Sequence, residues 1–127
     1  MFGKKYIAAE FLAVCTVGSA NAGVIVGPVG ATATNEFSAT FDIGNTIDQS
    51  GLSLNYVSLV TNFESYIASM PSHSLLAAGL EWFTEGDVLT ATVVYDLGAV
   101  YDIYAIALWN EEFSGFGQGD ISTSVDG

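Results

Sequence analysis

Two apolar runs on either side of the tripeptide Asp96-Leu97-Gly98 constrain the fold of this chain more than any other feature of its sequence. In residues 89–97 an apolar side chain occupies every second position, which is the period of a strand with one buried face. In residues 101–109 most positions on both faces are apolar, and a strand of that kind is normally covered on both sides. The connection between the runs, residues 97–100, is short enough to predict that Gly98 turns the chain and that the strands pair as an antiparallel hairpin.

Three further segments predict strands. Residues 23–34 are small and β-branched but contain Pro28, which suits an edge strand better than a central one. Residues 37–41 alternate apolar with polar side chains, and residues 56–61 form a short apolar run. The sequence as a whole therefore predicts an all-β fold.

Between the strands, a few residues carry local predictions. Residues 62–70 predict either one helical turn, capped by Asn62 and ended by Pro71, or an ordered loop. Trp82 and Trp109 are expected to lie in the core. His73 is the single imidazole of the chain, and its position between two serines is more typical of a turn residue than of a catalytic base or metal ligand.

Residues 1–22 have the layout of a secretory signal peptide. Lys4 and Lys5 precede an apolar run, and the segment ends in Ala20-Asn21-Ala22, an Ala-x-Ala cleavage pattern. Cleavage is therefore expected before Gly23, and the exported chain is expected to be secreted or held in the cell envelope.

Two other interpretations fit this segment less well. A membrane anchor needs roughly 20 apolar residues, whereas the apolar run here covers residues 6–17 and contains Glu10. A lipoprotein would need a small residue before its acylated cysteine, and Val14 before Cys15 is bulky. The cleaved signal peptide remains the prediction, and no transmembrane segment is expected.

Removal of residues 1–22 leaves about 105 residues, enough for one domain, without a single lysine or arginine. Thirteen of the 14 carboxylates remain. Binding to nucleic acid or to an anionic membrane surface needs basic side chains that displace counterions, so both are excluded as partners. The excess of negative charge favours either cation binding or solubility in a saline or acidic medium. The single cysteine also leaves with the segment, so neither a disulfide nor a thiol-based site is expected.

The motifs of the C-terminal half resemble those of the discoidin-type domain (coagulation factor 5/8 type C). Asp96-Leu97-Gly98 ends one apolar strand, and Ser124-Val125-Asp126-Gly127 follows a second one as a Ser-x-Asp-Gly motif. Residues 107–111 (Ala-Leu-Trp-Asn-Glu) are similar to secreted bacterial proteins of the PEP-CTERM type. Over most of residues 23–127, the resemblance implies a galactose-binding-like β-sandwich of the jelly-roll type. Such domains continue past this motif, so the sandwich is expected to be incomplete at its C-terminal end, with residues 121–125 as its last strand.

The polar loop at residues 44–52 is a candidate calcium site. Asn45, Asp48 and Ser50 offer the hard oxygen donors that Ca²⁺ binds in sets of six to eight. The alternative is an Asx-turn, in which the same side chains bond their own backbone. In calcium-bearing members of the family that this chain resembles, the corresponding loop reads Asn-x-x-Asp, which Asn45 and Asp48 match. The family's site is usually closed by an acidic residue near the end of the domain, and no residue of this chain matches that position.

A second candidate site is the loop that follows the second apolar run. It combines an amide, two carboxylates and two aromatic rings among glycines; the candidate ligand-binding residues are Asn110, Glu111, Glu112, Phe113 and Phe116. Exposed rings that stack on sugar faces, next to planar polar groups that bind hydroxyls, are typical of carbohydrate recognition. The alternative is that both rings fold back onto the strands.

No grouping of residues predicts an enzyme. Adjacent carboxylates on a strand end point to opposite sides, whereas glycoside hydrolysis needs two that face each other across a cleft. The resemblance implies instead a secreted, non-enzymatic module that binds extracellular or cell-surface carbohydrate or a matrix component, with a structural calcium ion. Two alternatives stay open: a structural matrix or envelope protein without a ligand, and an accessory domain of a larger secreted enzyme.

Overall fold

The chain is described here from a computed structural model that covers residues 9–15, 23–110 and 117–125. Its regular elements in these ranges are strands β1 (Ala9–Cys15), β2 (Val24–Val26), β3 (Gly30–Ala33), β4 (Val93–Asp96) and β5 (Ile103–Asn110), a 3₁₀ helix (Ile43–Thr46) and helix α1 (Phe63–Ala68). Every strand pair is antiparallel. The described part of the chain is therefore of the all-β class, as predicted, while the galactose-binding-like sandwich remains a prediction.

The strands form two small sheets. In the first sheet β1 lies between β2 and β5, and Val14 pairs with Ile25 on one side and with Ala105 on the other. In the second sheet β3 pairs with β4, so that Gly30 lies opposite Asp96. The central strand of the larger sheet thus belongs to the segment that the sequence predicts to be a signal peptide.

Residues 23–34 lie at sheet edges, as predicted from Pro28, but they form two strands instead of one. This segment forms two short strands, β2 and β3, and each lies at the edge of its sheet. Because proline lacks an N–H group, it cannot donate to a strand ladder, and the chain leaves one sheet and joins the other around this residue.

The predicted hairpin between β4 and β5 is wrong, although its turn is present. Gly98 adopts a left-handed φ of 77°, and its N–H donates to Asp96 Oδ1 at 2.7 Å. The two strands nevertheless pair with β3 and β1 instead of with each other. Loop length indicates that a hairpin is sterically possible, but each strand here has a partner that is distant in sequence.

Residues 37–41 and 56–61 were predicted as strands and form turns and bends instead. The rings of Phe37, Phe41 and Phe83 meet edge to face, with centroids 5.9 and 5.3 Å apart along the series. Leu59 has a left-handed φ of 62°, which no strand accommodates. Alternation in these short segments therefore reflects packing within turns.

The main apolar core lies where β2 and β5 meet helix α1. Ile25, Tyr56 and Tyr66 are buried together, and partly buried Leu52, Phe63, Ala107 and Trp109 pack around them. Asn62 caps α1 as predicted, because its side chain accepts the N–H of Ser65 at 2.8 Å. Within the described ranges, neither helix has the length or apolar character that crossing a bilayer requires.

Burial of the two long runs follows the predicted pattern only in part. Residues 91–97 alternate half-buried with exposed positions, as expected for one buried face, although Leu89 is exposed. Trp82 is buried, as predicted. The second face of β5 is not covered, since Tyr104 and Leu108 are 49% and 39% exposed. Residues 121–125 are exposed and form no strand, contrary to the prediction.

Candidate functional site

Asn45, the first residue of the predicted calcium loop, has its side chain turned into the protein. It lies in the 3₁₀ helix and is 8% exposed. Its Nδ2 group donates to the carbonyl oxygens of Thr40 at 3.1 Å and of Glu81 at 2.8 Å. The amide thereby joins segments that are 36 residues apart in the chain.

Asp48 and Ser50, the other two predicted calcium ligands, form a turn. Asp48 Oδ1 accepts the main-chain N–H of Ser50 at 2.7 Å, which is the geometry of an Asx-turn. The Ser50 carbonyl lies 3.1 Å from Nε2 of His73. No group of three or more His, Cys, Asp and Glu side chains converges in the described residues, and calcium binding by this loop stays a prediction.

The predicted carbohydrate-binding loop is described only at its start. Asn110 is the last residue of β5 and is exposed. Glu111, Glu112, Phe113 and Phe116 lie outside the described residues, so their proposed role stays a prediction.

A groove that sequence reasoning did not identify lies along β3. Its volume is about 530 Å³, and it opens widely to solvent. The residues that line it are Ala31, Thr32, Ala33, Thr34, Asn35, Glu36, Ile43 and Glu85. The end of β3 and the chain that follows it form one wall, while Ile43 and Glu85 come from the 3₁₀ helix and from the segment before β4. The groove thus combines alanine and isoleucine side chains with hydroxyl, amide and carboxylate groups.

The polar groups of this groove are held in place by one another. Asn35 makes two hydrogen bonds with Glu85: its Nδ2 donates to Oε2 at 3.1 Å, and its Oδ1 accepts the Glu85 main-chain N–H at 2.6 Å. Glu36 Oε1 accepts the main-chain N–H of Ile43 at 3.0 Å. Buried Trp82 donates its indole N–H to the Asn35 carbonyl at 3.1 Å, which fixes the main chain beneath the groove. The two carboxylates and the amide are therefore oriented before any ligand arrives.

An aromatic ring lies beside these groups in the sequence. Phe37 directly follows Glu36, and its side chain is 49% exposed. Its main-chain N–H donates to the carbonyl of buried Phe83 at 2.7 Å, so the ring is carried on a fixed backbone. Asn35 and Glu85 are 50 residues apart, and no local sequence signal could have joined them.

His73 is held between turns, as its sequence context predicted. Its Nε2 lies against the Ser50 carbonyl, its Nδ1 is 3.0 Å from the Ser74 carbonyl, and the same nitrogen is 3.8 Å from Oε1 of buried Glu81. Leu52 and His73 also form an isolated backbone bridge. These contacts give the ring a role in joining two loops.

A polar contact between β5 and α1 shifts the pKa values of both its partners. Tyr104 donates its hydroxyl to Glu64 Oε1 at 2.9 Å. A hydrogen bond from its own main-chain N–H, in the first turn of α1, lowers the pKa of Glu64, and the tyrosine hydroxyl lowers it further. Partial desolvation and the nearby carboxylate raise the pKa of Tyr104.

Comparison with known proteins provides no relative for this chain. No family model matches it, and neither a curated protein nor a solved structure is significantly similar. The resemblance to discoidin-type domains therefore rests on the motif residues alone.

Proposed function

We propose that this protein is a secreted, non-enzymatic β-domain of the galactose-binding-like type that binds extracellular or cell-surface carbohydrate. The observation that carries the proposal is the open groove in which Asn35, Glu36 and Glu85 are oriented by their own hydrogen bonds. Preoriented planar polar groups bind sugar hydroxyls without losing further side-chain entropy. A structural calcium ion at the loop of Asn45, Asp48 and Ser50 is a separate hypothesis on which the carbohydrate proposal does not depend, and the Asn45 variants described in the Discussion test it.

The negative charge of the groove restricts the kinds of sugar that could bind there. Glu36 and Glu85 line it together, and residues 23–127 contain no lysine or arginine to balance them. Uronic acids and sulfated sugars would be repelled by this field. The ligand class that fits is a neutral glycan or one that carries free amino groups.

Glycan-array binding by the exported protein tests this function. Asn35→Ala removes both hydrogen bonds of the pair, whereas Glu85→Ala removes only the one to its carboxylate. Each variant also removes a polar group that could contact the ligand, at ~1.5–3 kcal/mol, and should lower affinity about tenfold or more. Glu64→Gln is the matched control, because this carboxylate lies on α1 outside the groove.

Phe37→Ala tests the neighbouring ring, and Phe113→Ala with Phe116→Ala tests the predicted loop. Binding to no glycan, or binding that none of these variants changes, would refute the proposal.

A structural role in a matrix or envelope is the second candidate, and one observation favours it. Large apolar side chains are exposed in two turns, with Val57 and Val60 at 61% and 71% and Leu75 and Leu76 at 83% and 57%. Exposed apolar groups in clusters mark surfaces for association. Assembly that depends on these residues, in a protein that binds no glycan, would favour this candidate.

A further inference from the structure

The position of β1 leads to an inference about the exported chain, and it rests on the predicted cleavage before Gly23 and not on the proposed ligand. β1 is the only strand that pairs with β5 among the described residues, and it also pairs with β2. Cleavage would remove β1 entirely. A gap one strand wide would then open in the middle of the sheet, about 9–10 Å from β2 to β5, because neighbouring strands lie about 4.8 Å apart.

The β2 side of this gap does not depend on β1. The Ile25 N–H donates to the Thr61 carbonyl at 2.9 Å, and the Ile25 carbonyl accepts the N–H of Leu59 at 2.7 Å. The Gly23 carbonyl accepts the N–H of Phe63 at 2.9 Å, so even the first residue after the cleavage point is fixed to α1. β2 therefore keeps its place once the leader is gone.

The β5 side is held independently as well. Trp109 donates its indole N–H to the Pro71 carbonyl at 3.1 Å, and Tyr104 donates to Glu64 at 2.9 Å. Ala107 and Trp109 pack against the buried cluster around Ile25. Both sides of the gap thus persist, and the main-chain groups that faced β1 are left without strand partners beside the core, which is costly unless another strand enters.

We propose that residues 121–125 occupy this position in the exported protein. Ile121, Thr123 and Val125 alternate with two serines, and Ile121 and Val125 are 65% and 78% exposed in the present arrangement. All three are β-branched residues that favour strands. A strand with one apolar face and one polar face fits this gap, because the core lies on only one side of the sheet there.

The direction and reach of the segment also fit. β1 begins opposite Asn110 and ends opposite Ile103. A segment that follows β5 and turns back along it runs in this same direction. The ten intervening residues, 111–120, include three glycines and are enough for the return.

The buried face of β5 limits the registers that the new strand can take. Ala105, Ala107 and Trp109 are the half-buried residues of the core-facing side, whereas Leu108 and Asn110 are exposed. The side chains of Ile121, Thr123 and Val125 face the core when they lie opposite the odd-numbered residues of β5. Both β5 residues that pack against the core cluster, Ala107 and Trp109, are covered when Ile121 lies opposite Trp109 and Thr123 opposite Ala107, which places Val125 opposite Ala105. Val125 then takes the main-chain position of Val14, which pairs with Ile25 on β2.

Disulfide trapping tests this register in the exported chain, which has no cysteine of its own after cleavage. The two cysteine pairs are Thr123→Cys with Ala107→Cys and Ser124→Cys with Ile106→Cys. Directly opposite residues have Cα atoms about 4.5–5.5 Å apart, within the range that a disulfide spans. Successive opposed pairs in an antiparallel ladder alternate between hydrogen-bonded and non-hydrogen-bonded sites. The side chains are closer at the non-hydrogen-bonded site, so one of the two cysteine pairs suits a disulfide. The control pair, Ser124→Cys with Ala107→Cys, places the thiols on opposite faces.

The expected result is the loss of both reactive thiols in a monomer for at least one opposed pair, with both thiols retained in the control. A leader-retaining form, made with Ala20→Phe and Ala22→Phe to block processing and with Cys15→Ser, should keep its thiols because β1 fills the gap. Three results would each overturn the proposal: free thiols in both opposed pairs, a disulfide-linked dimer in which a second copy supplies the strand, or an exported protein whose mass still includes residues 1–22.

Discussion

The buried amide of Asn45 offers a decisive test between a structural and a metal-binding role for the polar loop. Its Nδ2 donates to two carbonyls, at 3.1 Å to Thr40 and at 2.8 Å to Glu81, from a side chain that is 8% exposed. Asn45→Ala removes both hydrogen bonds and leaves the carbonyls without this donor. At about 0.5–1 kcal/mol for each of the two bonds and about 1–2 kcal/mol more for the buried Glu81 carbonyl, we expect a loss of about 2–4 kcal/mol.

Asn45→Asp separates the two roles because it keeps the oxygen and removes the donor. A carboxylate at this place would face two carbonyl oxygens in a buried setting, so the variant should be less stable than Asn45→Ala at pH 7. Its folded pKa would be raised, and the protonated acid regains a donor; the deficit relative to wild type should therefore shrink as the pH falls through that raised value. A calcium ligand would behave oppositely, since an added charge strengthens a calcium site.

The assay is thermal unfolding followed by circular dichroism, with calcium and with chelator. For a domain of this size a loss of 2–4 kcal/mol lowers the Tm by about 10–20 °C. Asp48→Asn is the matched control, because asparagine keeps the oxygen that accepts the Ser50 N–H and loses only the charge; its metal-free Tm should equal that of wild type. If Asn45→Asp proves as stable as wild type in calcium, the structural reasoning is refuted.

Two other predictions follow from close contacts. Gly51 has a φ of 86°, and a Cβ there would lie 2.6 Å from Nε2 of His73, so Gly51→Ala should cost about 2–4 kcal/mol in urea unfolding. Gly79, with a φ of 80° and no atom within 4 Å, is the control, and Gly79→Ala should show only the conformational cost of about 1–2 kcal/mol; equal losses would contradict a steric role for the ring. Tyr104→Phe should move the pKa of Glu64 back toward its ordinary value of 4.5 in an NMR titration, and an unchanged titration would contradict the contact. The lowered pKa of Glu64 stabilises the folded protein above pH 4.5, and this stability is lost as the pH falls through the lowered pKa. The raised pKa of Tyr104 contributes stability that is lost as the pH rises through it, and Tyr104→Phe removes this second contribution.

Local rules of sequence succeeded where a single residue determines the backbone. Asn62 caps a helix, Pro28 keeps its segment at sheet edges and Gly98 turns the chain, because each effect depends only on side-chain chemistry or on allowed φ within a few residues. Burial of Trp82 was equally predictable from its size and apolar character. These predictions needed no knowledge of the partner strands.

Predictions that required a partner failed or were incomplete. β4 and β5 are adjacent in sequence, yet they join different sheets through β3 and β1, which lie far earlier in the chain. The groove was missed for the same reason, since Asn35 and Glu85 become neighbours only through the fold. In the predicted calcium loop the difficulty is different, because one sequence pattern fits two structures. A side-chain oxygen that can bind a metal can also accept a main-chain N–H and close an Asx-turn.

The absence of basic side chains from residues 23–127 explains much of the local architecture. A carboxylate that has no lysine or arginine to meet must find main-chain N–H groups instead, and three aspartates do so in the same manner, each accepting the N–H two residues ahead: Asp42 from Gly44, Asp48 from Ser50 and Asp96 from Gly98. Glu36 reaches the N–H of Ile43 in the same way over a longer span. Each such bond closes a turn, so the negative charges that repel one another across the surface also fix the loops that connect the strands. In the groove the Glu36 carboxylate follows the same rule, and a side chain fixed by the main chain presents its remaining oxygen in a defined direction, whereas the Glu85 carboxylate is held by the side-chain amide of Asn35.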